Sequence, residues 1–194
     1  MQNKIYNEID SNKKPVTIFI GEYYVSSKPV IIATLLGSCV AACLYDPIKR
    51  IGGMNHIQMP GRADLKNYNT SARYSINAME LLINGMMKLG ADRKTIIAKI
   101  FGGASVIASV SPENAIGPEI VSFVKQFLKA EKIKIVSSDL GGINTRKIFF
   151  NTDTGSVLLK RSQSMKSSQI LAEEQKKLRL LKLELKKQSD TTLF

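Results

Sequence analysis

The amino-acid sequence predicts an α+β fold: layered mixed β-sheets flanked by two helices, with a further amphipathic helix at the C-terminus. Three observations carry this reading. Short runs rich in β-branched residues, bounded by Gly and Pro, recur along residues 16–160. Two longer segments place apolar residues at helical spacing. The composition changes at Lys160, giving way to a polar, serine-rich stretch and then to leucines at 7, 3 and 4 spacing. The expected organisation is a flexible N-terminus over 1–15, one domain over 16–160, and a linker with a basic helix over 161–194.

The elements follow in order. Val16 to Val25 reads as a strand interrupted by Gly21. A turn at Ser26 to Pro29 leads to Val30–Leu36, an apolar run short enough for a buried strand. Val40 to Leu44 is closed by Asp46-Pro47, and Ile51 to Met59 reads as a strand ended by Pro60-Gly61. Thr70 or Ser71 is a candidate cap for a helix carrying Ile76, Met79, Leu82, Ile83, Met86 and Met87 at core spacing, stopped by Gly90. Lys94 to Phe101 is a strand ending in Gly102-Gly103. A second helix is expected from about Ile116 to Ala130, with Pro118 in its first turn. Ile133 to Val136, Arg146 to Phe150 and Ser156 to Lys160 are strands, the last two joined at Asn151 to Gly155. Beyond them, Leu171, Leu178, Leu181 and Leu185 mark the C-terminal helix. Glu174 interrupts its heptad, so a long coiled coil is not expected.

Charge and composition then narrow the class. The chain has 194 residues, 44% of them apolar, enough to bury a core and to exclude wholesale disorder. Its formal charge of +12 calls for an anionic partner. Few aromatics and no stacking pattern argue against nucleic acid as that partner. No apolar run approaches the roughly 20 residues of a spanning helix. Residues 1–15 contain no apolar signal segment, so the expected compartment is the cytoplasm. Two cysteines and one histidine, without a CxxC pair, argue against a metal site. No GxGxxG or GK[ST] motif suggests a nucleotide, and no cofactor is expected.

The sharpest local feature is Leu36-Gly37-Ser38-Cys39, a small-residue turn after a buried strand with a thiol at its end. Glycine permits the turn, and successive backbone amides at Gly37, Ser38 and Cys39 can face a developing oxyanion. A thiolate is a strong nucleophile, and a neighbouring imidazole can take its proton. His56, the single histidine, lies seventeen residues on. A hairpin at Asp46 to Arg50 would bring Cys39 and His56 side by side. The plain alternative is that Cys39 only packs, as most buried cysteines do. Cys43 reads as a wall residue.

The run Gly37-Ser38-Cys39-Val40-Ala41-Ala42-Cys43-Leu44-Tyr45-Asp46, followed by Gly52-Gly53-Met54-Asn55-His56 and Pro60, resembles the CheD family of chemoreceptor glutamine deamidases. The resemblance continues through Lys99-Ile100-Phe101-Gly102-Gly103-Ala104 and Asn114-Ala115-Ile116-Gly117. It ends with Asp139-Leu140-Gly141-Gly142, Arg146-Lys147 and Gly155-Ser156-Val157. It implies a layered fold shared with the cysteine-dependent deamidase toxins. It also implies hydrolysis of receptor glutamine amides to glutamate through a thioester on Cys39, with receptor methyl esters as a further substrate. By the same resemblance His56 is the base, and the partners are cytoplasmic helical domains of chemoreceptors and a CheC-type phosphatase. With no phosphate-binding motif around them, Gly102 and Gly103 read as turn or substrate-rim glycines, with Phe101 on the same rim.

The resemblance departs at two places. A threonine commonly stands six residues before the cysteine and orients the histidine; here that position is Ala33, with Thr34 next. Adjacent strand residues face opposite ways, so Thr34 takes the role only if the backbone differs locally, and Asn55 is the other polar candidate. The second departure is Gly117-Pro118-Glu119, where the family carries Arg and Asn after Ile-Gly. Gly141-Gly142 read as a turn, with Arg146 solvated or touching acidic receptor helices. A catalytically weak module that only docks on receptors or on the phosphatase is the rival reading.

Overall fold

The computed structural model describes residues 15–58, 68–105 and 116–162. In chain order these form β1 (Val16–Thr17), β2 (Tyr23–Ser26), β3 (Ile31–Leu36), β4 (Val40–Asp46), β5 (Ile51–Asn55) and α1 (Tyr68–Lys88). There follow β6 (Ile97–Gly102), α2 (Ile116–Ala130), β7 (Lys134–Leu140), β8 (Thr145–Asn151) and β9 (Val157–Ser162). The strands make two sheets, ordered β1-β3-β8-β9 and β2-β5-β4-β6-β7. Pairing is antiparallel except for β1 with β3 and β6 with β7, so both sheets are mixed.

Strand alternation explains the layers. On β4, Val40, Ala42 and Leu44 point to one side, where they pack with Met79, Leu82, Ile83 and Met86 of α1 and Ile120, Val124 and Leu128 of α2. Cys39, Ala41 and Cys43 point to the other side, among Ile32 and Leu36 of β3, Phe101 of β6, and Ile148 and Phe150 of β8. The order through the molecule is therefore four-stranded sheet, five-stranded sheet, helices. Both helices cover the same face of the five-stranded sheet.

Several elements differ from their sequence expectation. Val16 to Val25 is two strands, one in each sheet, and Gly21 at φ 81° turns the chain between them. Helix α1 starts at Tyr68, so Thr70 and Ser71 lie in its first turn. Strand β7 continues four residues beyond Val136 through polar Ser137, Ser138 and Asp139, because its backbone remains paired with β6. Strand β9 ends at Ser162, past the expected boundary at residue 160. Residues 1–14 and 163–194, where the sequence predicts a C-terminal helix, lie outside the described residues. Among those described, no helix is long and apolar enough to cross a membrane.

Candidate active site

The hairpin between β4 and β5 sets the first relationship. Asp46 Oδ1 accepts the backbone N–H of Ile48 at 2.9 Å and of Lys49 at 3.0 Å, and Arg50 takes φ 53°. The strands pair Cys43 with Met54 and, beyond β5, Val40 bridges Ile57. In this register His56 falls opposite Ala41, not opposite Cys39. The expected side-by-side pair is thus a diagonal one, on the same inter-sheet face, with Cα atoms about 7–8 Å apart in regular strands. The imidazole is the longer of the two side chains and spans most of that diagonal. Cys39 and His56 are both buried, and neither cysteine forms a disulfide.

Thr34 supplies the next contact. Its hydroxyl lies 2.8 Å from His56 Nδ1 and donates to the carbonyl of Ile18 at 2.8 Å. The Thr34 hydroxyl has one proton, and the carbonyl can only accept. The Thr34 oxygen must therefore accept the Nδ1–H of the imidazole, which leaves Nε2 as its basic nitrogen. No local irregularity is needed to place Thr34. Strand β3 runs in unbroken register with β8, and alternation puts Ile32, Thr34 and Leu36 on the inner face with Ala33 outward. Asn55 serves the scaffold instead. Its Oδ1 accepts the backbone N–H of Ala42 at 3.0 Å and its Nδ2 donates to the Ala78 carbonyl at 3.1 Å, pinning α1 to the sheet.

The segment between β1 and β2 closes the histidine from behind. The His56 N–H donates to the Glu22 carbonyl at 3.0 Å, and the Gly21 N–H donates to the His56 carbonyl at 2.9 Å. Residues 18–22 thus hold both the ring, through Thr34, and the backbone of His56.

The turn that carries Cys39 has its own support. The Cys39 carbonyl accepts the N–H of Gly103 at 2.8 Å, and the Gly37 carbonyl accepts that of Ala104 at 2.9 Å. Gly102 and Gly103 carry positive φ, whereas Gly37 does not. It is the facing strand that uses the conformational freedom of glycine. A Cβ on Gly102 would collide with the Cys39 carbonyl, and one on Gly117 would stand 2.5 Å from the Gly103 carbonyl. Helix α2 therefore presses on Gly103, which holds Cys39. Phe101 sits beside them in the inter-sheet core, 5% exposed. Reading along the sequence missed this buttress and the 18–22 segment. The glycines at 102, 103 and 117 were visible as a signal, but the contact between them is long-range.

One other expectation changes. Arg146 is neither solvated nor surface-directed: it is 4% exposed. Its Nε donates to Asp139 at 2.6 Å, and Nη1 and Nη2 donate to the carbonyls of Asn144 and Gly141. Arg161 pairs with the same carboxylate, so Asp139 of one sheet is tied to β8 and β9 of the other. Burial pushes the Asp139 carboxyl up, but hydrogen bonding and charge from Arg146 and Arg161 outweigh it and hold the group below its ordinary value. Burial raises the Cys43 thiol far above the usual range, opposed only in part by the charge of Lys99. Cys43 is a wall residue in the geometry as well. Among the described residues, no group of three or more His, Cys, Asp or Glu is placed to hold a metal ion.

A buried cysteine and histidine on one sheet face, a hydroxyl fixing the imidazole, and a glycine-braced turn suit attack on a carbonyl group. Comparison with known proteins agrees on the family. The family model CheD, described as CheD chemotactic sensory transduction, matches residues 58–161. A protein of Stenotrophomonas maltophilia named probable chemoreceptor glutamine deamidase CheD is 47% identical over 79% of this chain and 76% of its own. Another so named, from Thiobacillus denitrificans, is 40% identical over 90% of this chain and 87% of its own. Among solved structures, the Bacillus licheniformis hypothetical protein YfiH aligns with TM-score 0.40 and 14% identity, over 61% of this chain and 50% of that one, too low to carry an argument. On the family match and the two relatives, which span most of its length, the chain belongs to the CheD family.

Proposed function

We propose that this protein hydrolyses the side-chain amide of particular glutamines on chemoreceptors to glutamate, releasing ammonia; its relatives carry the name probable chemoreceptor glutamine deamidase. Cys39 is the nucleophile, His56 the general base and then acid, and Thr34 the positioning residue. His56 Nε2 takes the thiol proton, and the sulfur attacks the amide carbon. Backbone amides of the Gly37-Ser38-Cys39 turn receive the oxyanion. The imidazolium gives its proton to the departing nitrogen, and a thioester remains. Water, deprotonated by the same imidazole, then cleaves the thioester, restoring the thiol and leaving a carboxylate. The same steps on a glutamate methyl ester would release methanol. The setting is the cytoplasm, the partners the helical domains of the receptors and a CheC-type phosphatase, and the fold of the kind found in cysteine-dependent deamidase toxins.

The observation that supports this reading most is the hydrogen bond from His56 Nδ1–H to Thr34, because it presents a basic Nε2 on the face that carries Cys39. The rival reading of a binding module rests on the absence of a threonine at position 33, and the Thr34–His56 hydrogen bond counts against it. Mass spectrometry of receptor cytoplasmic fragments tests the proposal. A gain of about one dalton at discrete glutamines, absent with Cys39→Ala and with His56→Ala, is expected for amide-to-acid exchange at a nucleophile–base pair. Receptor binding with no mass change would overturn it.

A further inference from the structure

The inter-sheet face that carries His56 continues past the nucleophile. Ala41 pairs with Phe101, and Phe101 with Asp139. His56, Ala41, Phe101 and Asp139 therefore stand on four adjacent strand positions of one face. Val40 pairs with Gly102 and Gly102 with Leu140, so the backbone leaving β7 is two strands from Cys39, about 10 Å at ordinary strand spacing.

At that point the sheet end opens into a concavity of about 580 Å³, bordered by Lys125, Asp139, Gly141, Gly142, Arg146 and Arg161. Three cations there face one carboxylate, so two positive charges stay unbalanced. Arg146 is engaged internally, whereas Lys125 is exposed and the Arg161 side chain is 57% exposed. Gly141 and Gly142 lie at φ 72° and 71°, with no atom within 4 Å of where a Cβ would be. A ligand can approach the backbone closely there.

We propose that this concavity receives a carboxylate side chain of the protein substrate, one to two helical turns from the reacting glutamine. The inference rests on the deamidase reading for the position of that glutamine. A helix rises 1.5 Å per residue, so a separation of about 10 Å corresponds to about seven residues. An offset of three or four suits the long Lys125 and Arg161 side chains reaching inward. A lysine or arginine at the same substrate position would be repelled, so the concavity selects among glutamines by their acidic neighbours.

Synthetic helical peptides test this. Each carries one glutamine and one glutamate placed three, four, seven or eight residues away on either side, with an alanine counterpart. Ammonia release is measured with the intact protein, and binding by fluorescence anisotropy with Cys39→Ala. For at least one spacing the glutamate is expected to raise kcat/KM and affinity about three- to tenfold, through KM, with the gain fading in about 0.5 M NaCl. Lys125→Gln with Arg161→Gln should erase the gain while leaving kcat on the alanine peptide unchanged. Lys125→Gln alone, an exposed position outside the Asp139 ion pairs, should remove part of it. No preference at any spacing, or a preference that survives the double variant, overturns the subsite. Ammonia release indifferent to glutamate sinks the subsite and keeps the deamidase reading; charge-dependent binding without ammonia release does the reverse.

Discussion

One hydroxyl decides what the histidine can do. Thr34 accepts from Nδ1–H only because its own proton goes to Ile18. Thr34→Val keeps the volume and removes the acceptor, so kcat should fall about ten- to a hundredfold, less than a whole general base contributes. Thr34→Ser, which keeps the acceptor, should restore it. At neutral pH an alkylating agent should label Cys39, whose thiol has the His56 imidazole on its face as the proposed base, and leave Cys43 untouched, because burial with no such base raises the Cys43 thiol; peptide mapping reads this directly. Cys39 and His56 were legible in the sequence, as a thiol after a glycine turn and a lone histidine. Thr34 was half legible. Counting back from Cys39 pointed to Ala33, while the alternation of β3 assigns the inner face to the next residue.

At the level of elements, Cys39, the proposed nucleophile, is held by a strand and a helix that the sequence does not place beside it. Gly117 is helical, so alanine there suits the backbone, but its Cβ would meet the Gly103 carbonyl. Gly117→Ala should cost about 1–3 kcal/mol of stability, as overpacking does. It should also lower ammonia release by more than that loss explains, because the displaced strand carries Cys39 with it. Thermal unfolding and activity measured on one sample separate the two effects. Strand and helix existence was well announced by β-branched runs and by the stripes in α1 and α2. Register was not. The true β4–β5 pairing shifts the hairpin centre, so His56 faces Ala41, and nothing local distinguishes that register from its neighbours. Arg146 was misread for a related reason: its partner Asp139 belongs to a strand that polar residues disguised.

For the molecule as a whole, two carboxylates tie distant parts together. Asp46 is buried, which raises its carboxyl, but N–H donors from Asp92, Lys49 and Ile48 and the Thr95 hydroxyl outweigh burial and hold it below its ordinary 3.8. Asp139 is held low in the same sense. A group whose pKa is depressed by folding contributes its stability above the unfolded value and loses it as pH falls through the folded one. Melting temperature should therefore drop steeply below about pH 4 in the native sequence. It should drop less steeply in Asp46→Asn with Asp139→Asn, which starts lower at pH 7; the same slope in both proteins would refute the assignment. The charge of +12 also gains an address, since part of it gathers at the sheet end near Cys39. The segment that crosses from β1 to β2 has one more consequence. β1 is a two-residue edge strand, and its docking delivers the Ile18 carbonyl that sets the imidazole. The proposed pair therefore depends on a two-residue edge strand: with the β4–β5 hairpin and both helices in place but β1 undocked, the thiol and the histidine would be present without the carbonyl that makes Thr34 an acceptor for Nδ1–H.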